Sequence, residues 1–412
     1  GILRAGLGGD SSMAQMAEAG TTAGENRTIA LIGAGHFLSH FYALTLPPLF
    51  LFFREEFSVS YALLGALVTG YAMVGGVLQA PVGLAVDRWG AKPVLLAGLA
   101  LNAAAIAAIG LVSSYWALAL LAVAAGIGNS VFHPADYAVL AARIRERRLP
   151  RAYSLHTFLG FFGTAVAPLT MATLAALMGW RHAVMLAGAA GIATVLAMAV
   201  SGGAVGSPPR TGDAAADAAP ARWLSLPILL FFGFFAAYGL ASGGIMSFTV
   251  IGLGKLYGLD PASAGAVLTT ALLALAFGIL AGGELPDRER WQVYVTGAAL
   301  VGGGALTALA GFADIGVVGL AALLGVAGFA MGVVLPARDL ILRRITPPGS
   351  TGRVIGFVFV GLSVGGGLAP LLFGWTMDRE WPALLFLGCG AFLVLAFLCS
   401  FGAVLAARRM PR

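Results

Sequence analysis

Charge is what this sequence has least of. Asp, Glu, Lys and Arg together make up 10% of the 412 residues, against roughly 25% in a soluble domain. A surface so poor in charge cannot face water over most of its area. Cysteine is nearly absent too, and both copies, Cys389 and Cys399, lie in one apolar run. On a helix their spacing separates them by roughly 15 Å along the axis, too far for a disulfide. Neither a disulfide framework nor a metal site is expected from them. Glycine is abundant instead, 59 residues with no three-residue period, which excludes collagen. An apolar share of 59% excludes disorder. Mean hydropathy of +0.92 with long uncharged runs leaves a polytopic all-helical membrane protein. The net charge of +6 is not gathered on one soluble face, so nucleic acid is not an expected partner.

A membrane-spanning helix needs about 20 mostly apolar residues. Runs of that kind fall at 29–53, 61–86, 93–112, 116–141, 153–177 and 181–201. A second set follows at 224–250, 262–284, 291–312, 315–337, 353–376 and 382–407. The reading is therefore a tail over 1–28, a bundle over 29–201, a linker over 202–223, a second bundle over 224–407 and a tail over 408–412. The linker has three prolines and scattered charges, and the first tail has no apolar core to serve as a secretory signal. With the N-terminus inside, only Arg54, Arg181, Lys255 and Arg379 of the 24 basic residues fall outside. Short cytoplasmic loops collect Lys and Arg, so both termini are expected in the cytoplasm.

The two bundles echo each other. Gly83-x-x-x-Asp87-Arg88 recurs as Gly283-x-x-x-Asp287-Arg288 at an offset of 200 residues. Pro134-Ala135 recurs as Pro336-Ala337, and Gly163-x-x-x-Ala167-Pro168 as Gly365-x-x-x-Ala369-Pro370, both offset by 202. Six spans is an even number, so the copies share one orientation, as in one broad class of secondary transporter.

Gly83-x-x-x-Asp87-Arg88-x-Gly90-x-Lys92 resembles the loop signature between the second and third helices of the major facilitator superfamily. The resemblance covers essentially residues 29–407, with Asp287 and Arg288 as the expected weaker echo. It implies the fold of two parallel six-helix repeats and a monomer. Gly83 would permit close helix approach, while Asp87 and Arg88 would form a cytoplasmic latch that favours the outward-facing state and breaks when the halves rock. Within the superfamily, Phe132-His133-Pro134 in the fourth helix and His36-Phe37-Leu38-Ser39-His40 in the first are similar to fosmidomycin-resistance-type exporters. The chain departs from that pattern at Ala135, where an acidic residue would follow the proline, and at Ala122, where many drug–proton antiporters carry arginine.

Ionisable groups within a span are costly and tend to face a cavity. All five histidines fall in the first half. His36 and His40 share a helix face, roughly 10 and 17 Å above the cytoplasmic start of the span. With His133 they are the candidate proton carriers, since imidazole titrates near neutral pH. His156 and His182 read instead as structural, each satisfied locally. Asp136 is expected to pair with Arg143 or Arg88 in a cytoplasmic charge network. Tyr42, Gln79, Asn129, Tyr238 and Arg338 are the candidate cavity residues, with Arg338 able to anchor an anion. Glycine-rich runs lack the strand–loop–helix setting of nucleotide sites, and there is no Walker sequence, so no cofactor and no ATP are expected. No nucleophile–base pair marks an enzyme.

These residues point to a proton-coupled secondary transporter of a bacterial-type inner membrane. Its expected partners are the lipid bilayer, protons and a small-molecule substrate. Export of small polar or anionic toxic compounds by proton antiport is the leading expectation. Uptake of a small organic anion by proton symport would use the same residues. A sensor or assembly component on the same fold has no evident use for a gate.

Overall fold

The structure, a computed structural model, describes residues 7–206, 224–284, 289–347 and 351–409. Among these described residues are twelve helical stretches long and apolar enough to cross a membrane, at the positions that the hydropathy runs predict. Two of the twelve are broken. The first consists of α1 (Leu7–Ala43) and α2 (Phe50–Phe57), joined through a short 3-10 turn at Pro47–Leu49. The fourth consists of α5 (Tyr115–Asn129) and α6 (Phe132–Arg143), interrupted at Ser130 and Val131. The other first-half spans are α3 (Tyr61–Trp89), α4 (Ala91–Ile109), α7 (Leu149–Met178) and α8 (Trp180–Ala199). The second half comprises α9 (Leu226–Tyr257), α10 (Pro261–Gly283), α11 (Glu289–Leu309), α12 (Gly316–Ile345), α13 (Thr351–Asp378) and α14 (Ala383–Arg408). Helix α1 begins well before residue 29, where the sequence reading places the end of a tail.

Local chemistry sets several of the ends. Ser60, Ser114 and Asp260 each cap the helix that follows by accepting from backbone N–H groups of its first turn. One residue, Gly90, connects α3 to α4 with φ of 82° and ψ of 159°, a conformation that costs a side chain with a Cβ about 1–3 kcal/mol. That geometry is why glycine closes the second span of the loop signature.

The halves meet along two seams at the end of the bundle that carries Arg54, Arg181, Lys255 and Arg379. Between α3 and α13, Gly65 lies against the Pro370 carbonyl, and Thr69 donates to the Gly367 carbonyl at 2.6 Å. The Asp378 carboxylate, at the last residue of α13, accepts from the backbone N–H groups of Tyr61 (2.7 Å) and Ala62 (2.9 Å). A carboxylate from one half thus caps the N-terminus of a helix in the other, where the helix dipole favours negative charge. Between α7 and α10, Gly265 faces Pro168. Phe50 and Phe248 pack across the halves nearby, with ring centroids 5.5 Å apart. This end is closed. The opposite, Arg-rich end carries the exposed Asp87 and Arg88.

Candidate functional site

Two neighbouring features build the site, a buried cluster of titratable side chains in the first half and a polar cavity between the halves. The cluster arises because the interruption at Ser130 and Val131 re-aims the second part of the fourth span. Helix α6 then delivers His133 and Asp136 towards α1, which supplies His36 and His40 one turn apart, and towards α7, which supplies His156. The His36 and His156 rings are stacked, with centroids 3.6 Å apart. His36 also meets His40 at 4.6 Å and His133 at 5.2 Å, both edge-on. Gly160 makes the room, since a Cβ there would fall 2.7 Å from the His36 ring and 3.0 Å from that of His40.

Asp136 is fully buried at the centre. Its Oδ2 accepts from His156 Nε2 at 3.0 Å and lies 3.4 Å from His36 Nδ1. With Asp136 ionised, His156 Nε2 is the donor of this bond. His156 Nδ1, His36 Nδ1 and Asp136 Oδ1 are buried and have no hydrogen-bond partner among the described residues. His40 Nδ1 lies 3.1 Å from the Thr164 hydroxyl, which itself donates to the Gly160 carbonyl. When the single hydroxyl proton goes to Gly160, His40 Nδ1 is the donor to Thr164. His133 is exposed and His40 partly so, whereas Asp136, between them and His156, is fully buried.

The same residues resemble a metal set, because one ligand atom each of His36, Asp136 and His156 lies within 4.8 Å of the others. An ion about 2 Å from each nitrogen would have to sit in both imidazole planes. Rings stacked at 3.6 Å with an interplanar angle of 19° share no such point. A proton fits. With neutral imidazoles and an ionised Asp136 the cluster carries a formal charge of −1, and one shared proton brings it to zero.

The cavity, of about 370 Å³, lies between the halves at mid-depth. Tyr71, Gln79, Asn129, Ser242, Ser247 and Ser363 supply its polar lining, and no charged side chain among the described residues contributes. Asn129 joins the cavity to the cluster. Its Oδ1 accepts from Ser39, which sits between His36 and His40 on α1, at 2.7 Å, and from Asn102 Nδ2 at 3.3 Å. With the oxygen pinned twice, the amide nitrogen is left for the cavity.

Other residues fall elsewhere than expected. Asp136 pairs with histidines, not with Arg143 or Arg88, because the break in the fourth span turns it inward. Arg143 donates to the Gly206 carbonyl at 2.7 Å. Tyr42 is buried between α1 and α8, donating to the Ala187 carbonyl at 2.9 Å, and is not part of the central cavity's lining. Tyr238 is buried in the second half beside the Met331 carbonyl. Arg338 is buried too, with its guanidinium 4.7 Å from the Phe235 ring centre and bonded to Asp339 at 2.8 Å. Gly83 faces open space. Lys92 donates to the Ala199 and Gly202 carbonyls and so caps the end of α8. Asp287 and Arg288 lie outside the described residues. His182 donates to the Met178 carbonyl at 2.9 Å, a local role as read. Sequence reasoning assigned His156 a local role and passed over Ser39; its position between two candidate histidines was the available signal.

Residues 32–250 and 229–412 match the sequence profile of the Major Facilitator Superfamily. The fosmidomycin resistance protein of Escherichia coli K12 is 26% identical over 383 residues, covering 90% of this chain and 92% of that one. A 4-hydroxybenzoate transporter of Pseudomonas aeruginosa is 31% identical over 163 residues, covering 38% of this chain and 35% of that one. Among solved structures, a bacterial homologue of the human lysosomal transporter Spinster, inward-facing and unoccupied, superposes with a TM-score of 0.76. It is 15% identical, covering 93% of this chain and 97% of that one, a likeness of fold.

Proposed function

The chain belongs to the major facilitator superfamily, and from that premise we propose that it is a proton-coupled antiporter exporting small polar or anionic compounds by alternating access. The observation that carries the reading is the Asp136–histidine cluster, linked to the central cavity through Ser39 and Asn129. A proton entering from the open end meets His133 and His40 first, then the His36–Asp136–His156 group. Protonating His36 at Nδ1 gives Asp136 a second donor and removes the net charge from the membrane interior, where an uncompensated ion is expensive. A change in the His36–His40 face is felt one residue away at Ser39, and hence at the amide that lines the cavity.

The remaining parts fit a rocking cycle. The Arg-rich end is the cytoplasmic one by the distribution of positive charge, so the structure is open inward. Asp87 is exposed in this state, as a latch that engages only when the cytoplasmic end closes would be. Both termini then lie in the cytoplasm of a bacterial-type cell, and the protein works as a monomer in its inner membrane. The uncharged cavity lining suits a substrate bound through hydrogen bonds. The name of the Escherichia coli relative makes fosmidomycin, a phosphonate, the first compound to try.

The test uses purified protein in liposomes that enclose a pH-sensitive dye. Fosmidomycin, 4-hydroxybenzoate and a cationic drug are added outside one at a time. Antiport predicts proton movement opposite to the substrate, whereas movement in the same direction would establish symport and overturn the exporter reading. Asp136→Asn and His40→Ala should each abolish proton-coupled accumulation while substrate exchange down its own gradient survives.

A further inference from the structure

A crevice of about 400 Å³ opens at the Arg-rich end between α1 and α7, away from the central cavity. Its walls divide by chemistry. Arg148, Arg151 and Asn26 stand at the mouth, and Ile29, Leu155 and Leu159 form the deeper apolar part. Leu159 precedes Pro168, the residue that meets α10, by nine positions, two and a half helical turns, so it lies on the opposite side of α7. On that side Leu155 is exposed, and Leu159 is half-buried with its Cδ1 against Gly33 of α1. Arg148 is held in place, bonded to the Glu25 carboxylate at 2.5 Å and to Asn26 Oδ1 at 2.6 Å. Arg151 is exposed, and no described residue pairs with its guanidinium.

We propose that this crevice is a binding site for one anionic phospholipid, its headgroup phosphate on Arg151 and Arg148 and one acyl chain along Ile29, Leu155 and Leu159. The charge complementarity sets the class. A basic mouth over an apolar floor, at the membrane face where anionic headgroups gather, matches a phosphate joined to a hydrocarbon chain. A free anion would gain nothing from the floor, and a zwitterionic lipid brings its own cation to the phosphate that the arginines would hold. The site borders the proton cluster, because α1 and α7 together carry His36, His40 and His156. An occupant bridging the two helices would hold those histidines in register.

The test is native mass spectrometry of the detergent-purified protein with phosphatidylglycerol, phosphatidylcholine or glycerol phosphate. The expected result is one phosphatidylglycerol bound at least tenfold more tightly than phosphatidylcholine, and no retained glycerol phosphate. Arg151→Gln should remove most of that preference without unfolding the protein, since no described residue pairs with this side chain. Leu159→Trp, which fills the floor, should lower occupancy with both arginines in place. Arg409→Gln, an exposed change at the same membrane face, is the control and should leave the preference intact. A preference unchanged in both Arg151→Gln and Leu159→Trp, or lost equally in Arg409→Gln, would overturn the site. Retention of glycerol phosphate equal to that of the lipid would show an anion site without a lipid.

Discussion

The Asp378 carboxylate is the sharpest lever on the conformational equilibrium. It reaches from the end of α13 to the first two N–H groups of α3, at 2.7 and 2.9 Å, and so holds the two halves together at the closed end. A hydrogen bond to a charged group contributes about 1.5–3 kcal/mol net of what water would supply. Two at the low end give about 3 kcal/mol, which corresponds to a factor on the order of 100 in the ratio of closed to open states. Asp378→Ala removes both bonds and should shift the population by that factor. Asp378→Asn keeps one acceptor and loses the charge, so about half the energy, a factor on the order of 10, should go. Spin labels at the exposed Glu55 and Arg379, in a background with Cys389 and Cys399 replaced by Ser, would report the separation of the halves at this end. The long-distance fraction should rise from wild type through Asn to Ala. Identical distance distributions in all three proteins would show that the carboxylate merely fills space and that apolar packing closes the seam.

Other residues give equally definite expectations. Gly160→Ala places a methyl 2.7 Å from the His36 ring, so it should cost about 1–3 kcal/mol of stability and uncouple proton movement, read by thermal unfolding and liposome pH change. Unchanged stability and unchanged coupling in Gly160→Ala would remove the packing argument. Tyr42→Phe loses one buried hydrogen bond and should lower stability by about 1 kcal/mol with substrate affinity unchanged; a weaker affinity would return Tyr42 to the cavity. The Lys255 ammonium, which donates to Glu380, holds that carboxyl below its ordinary value of 4.5. A group depressed in this way stabilises above its unfolded value and loses that contribution as pH falls through the folded one, below about 4.5. Glu380→Gln should therefore leave a transport profile between about pH 5 and pH 8 unaltered, whereas Asp136→Asn should flatten it. The reverse pattern would move the pH dependence out of the histidine cluster and into the closed gate.

Much of the architecture is legible in the chain alone because a bilayer asks so little of it. Hydrocarbon contains no water to satisfy a backbone, so each span must be a helix of fixed minimum length, and apolar runs declare themselves. The offset of 202 residues between Gly163-x-x-x-Ala167-Pro168 and its copy exposes the repeat for the same reason, as equal spans need equal spacing. His36 and His40 are recognisable as a pair because helical spacing is local. What lies beyond one helix is not. Asp136 looks like a partner for Arg143 in the sequence, seven residues away on the same stretch. The interruption at Ser130 and Val131 rotates it instead into a pocket made by α1 and α7, where His156 is its donor. Tyr42 looks like a cavity ligand beside two histidines, yet helical geometry turns it towards α8. The sequence determined the spans, the repeat and the residue types available for proton chemistry, all properties of single helices. Tertiary structure alone decided which side chains share a pocket and which end is closed, because both depend on the azimuth of helices packed from distant parts of the chain.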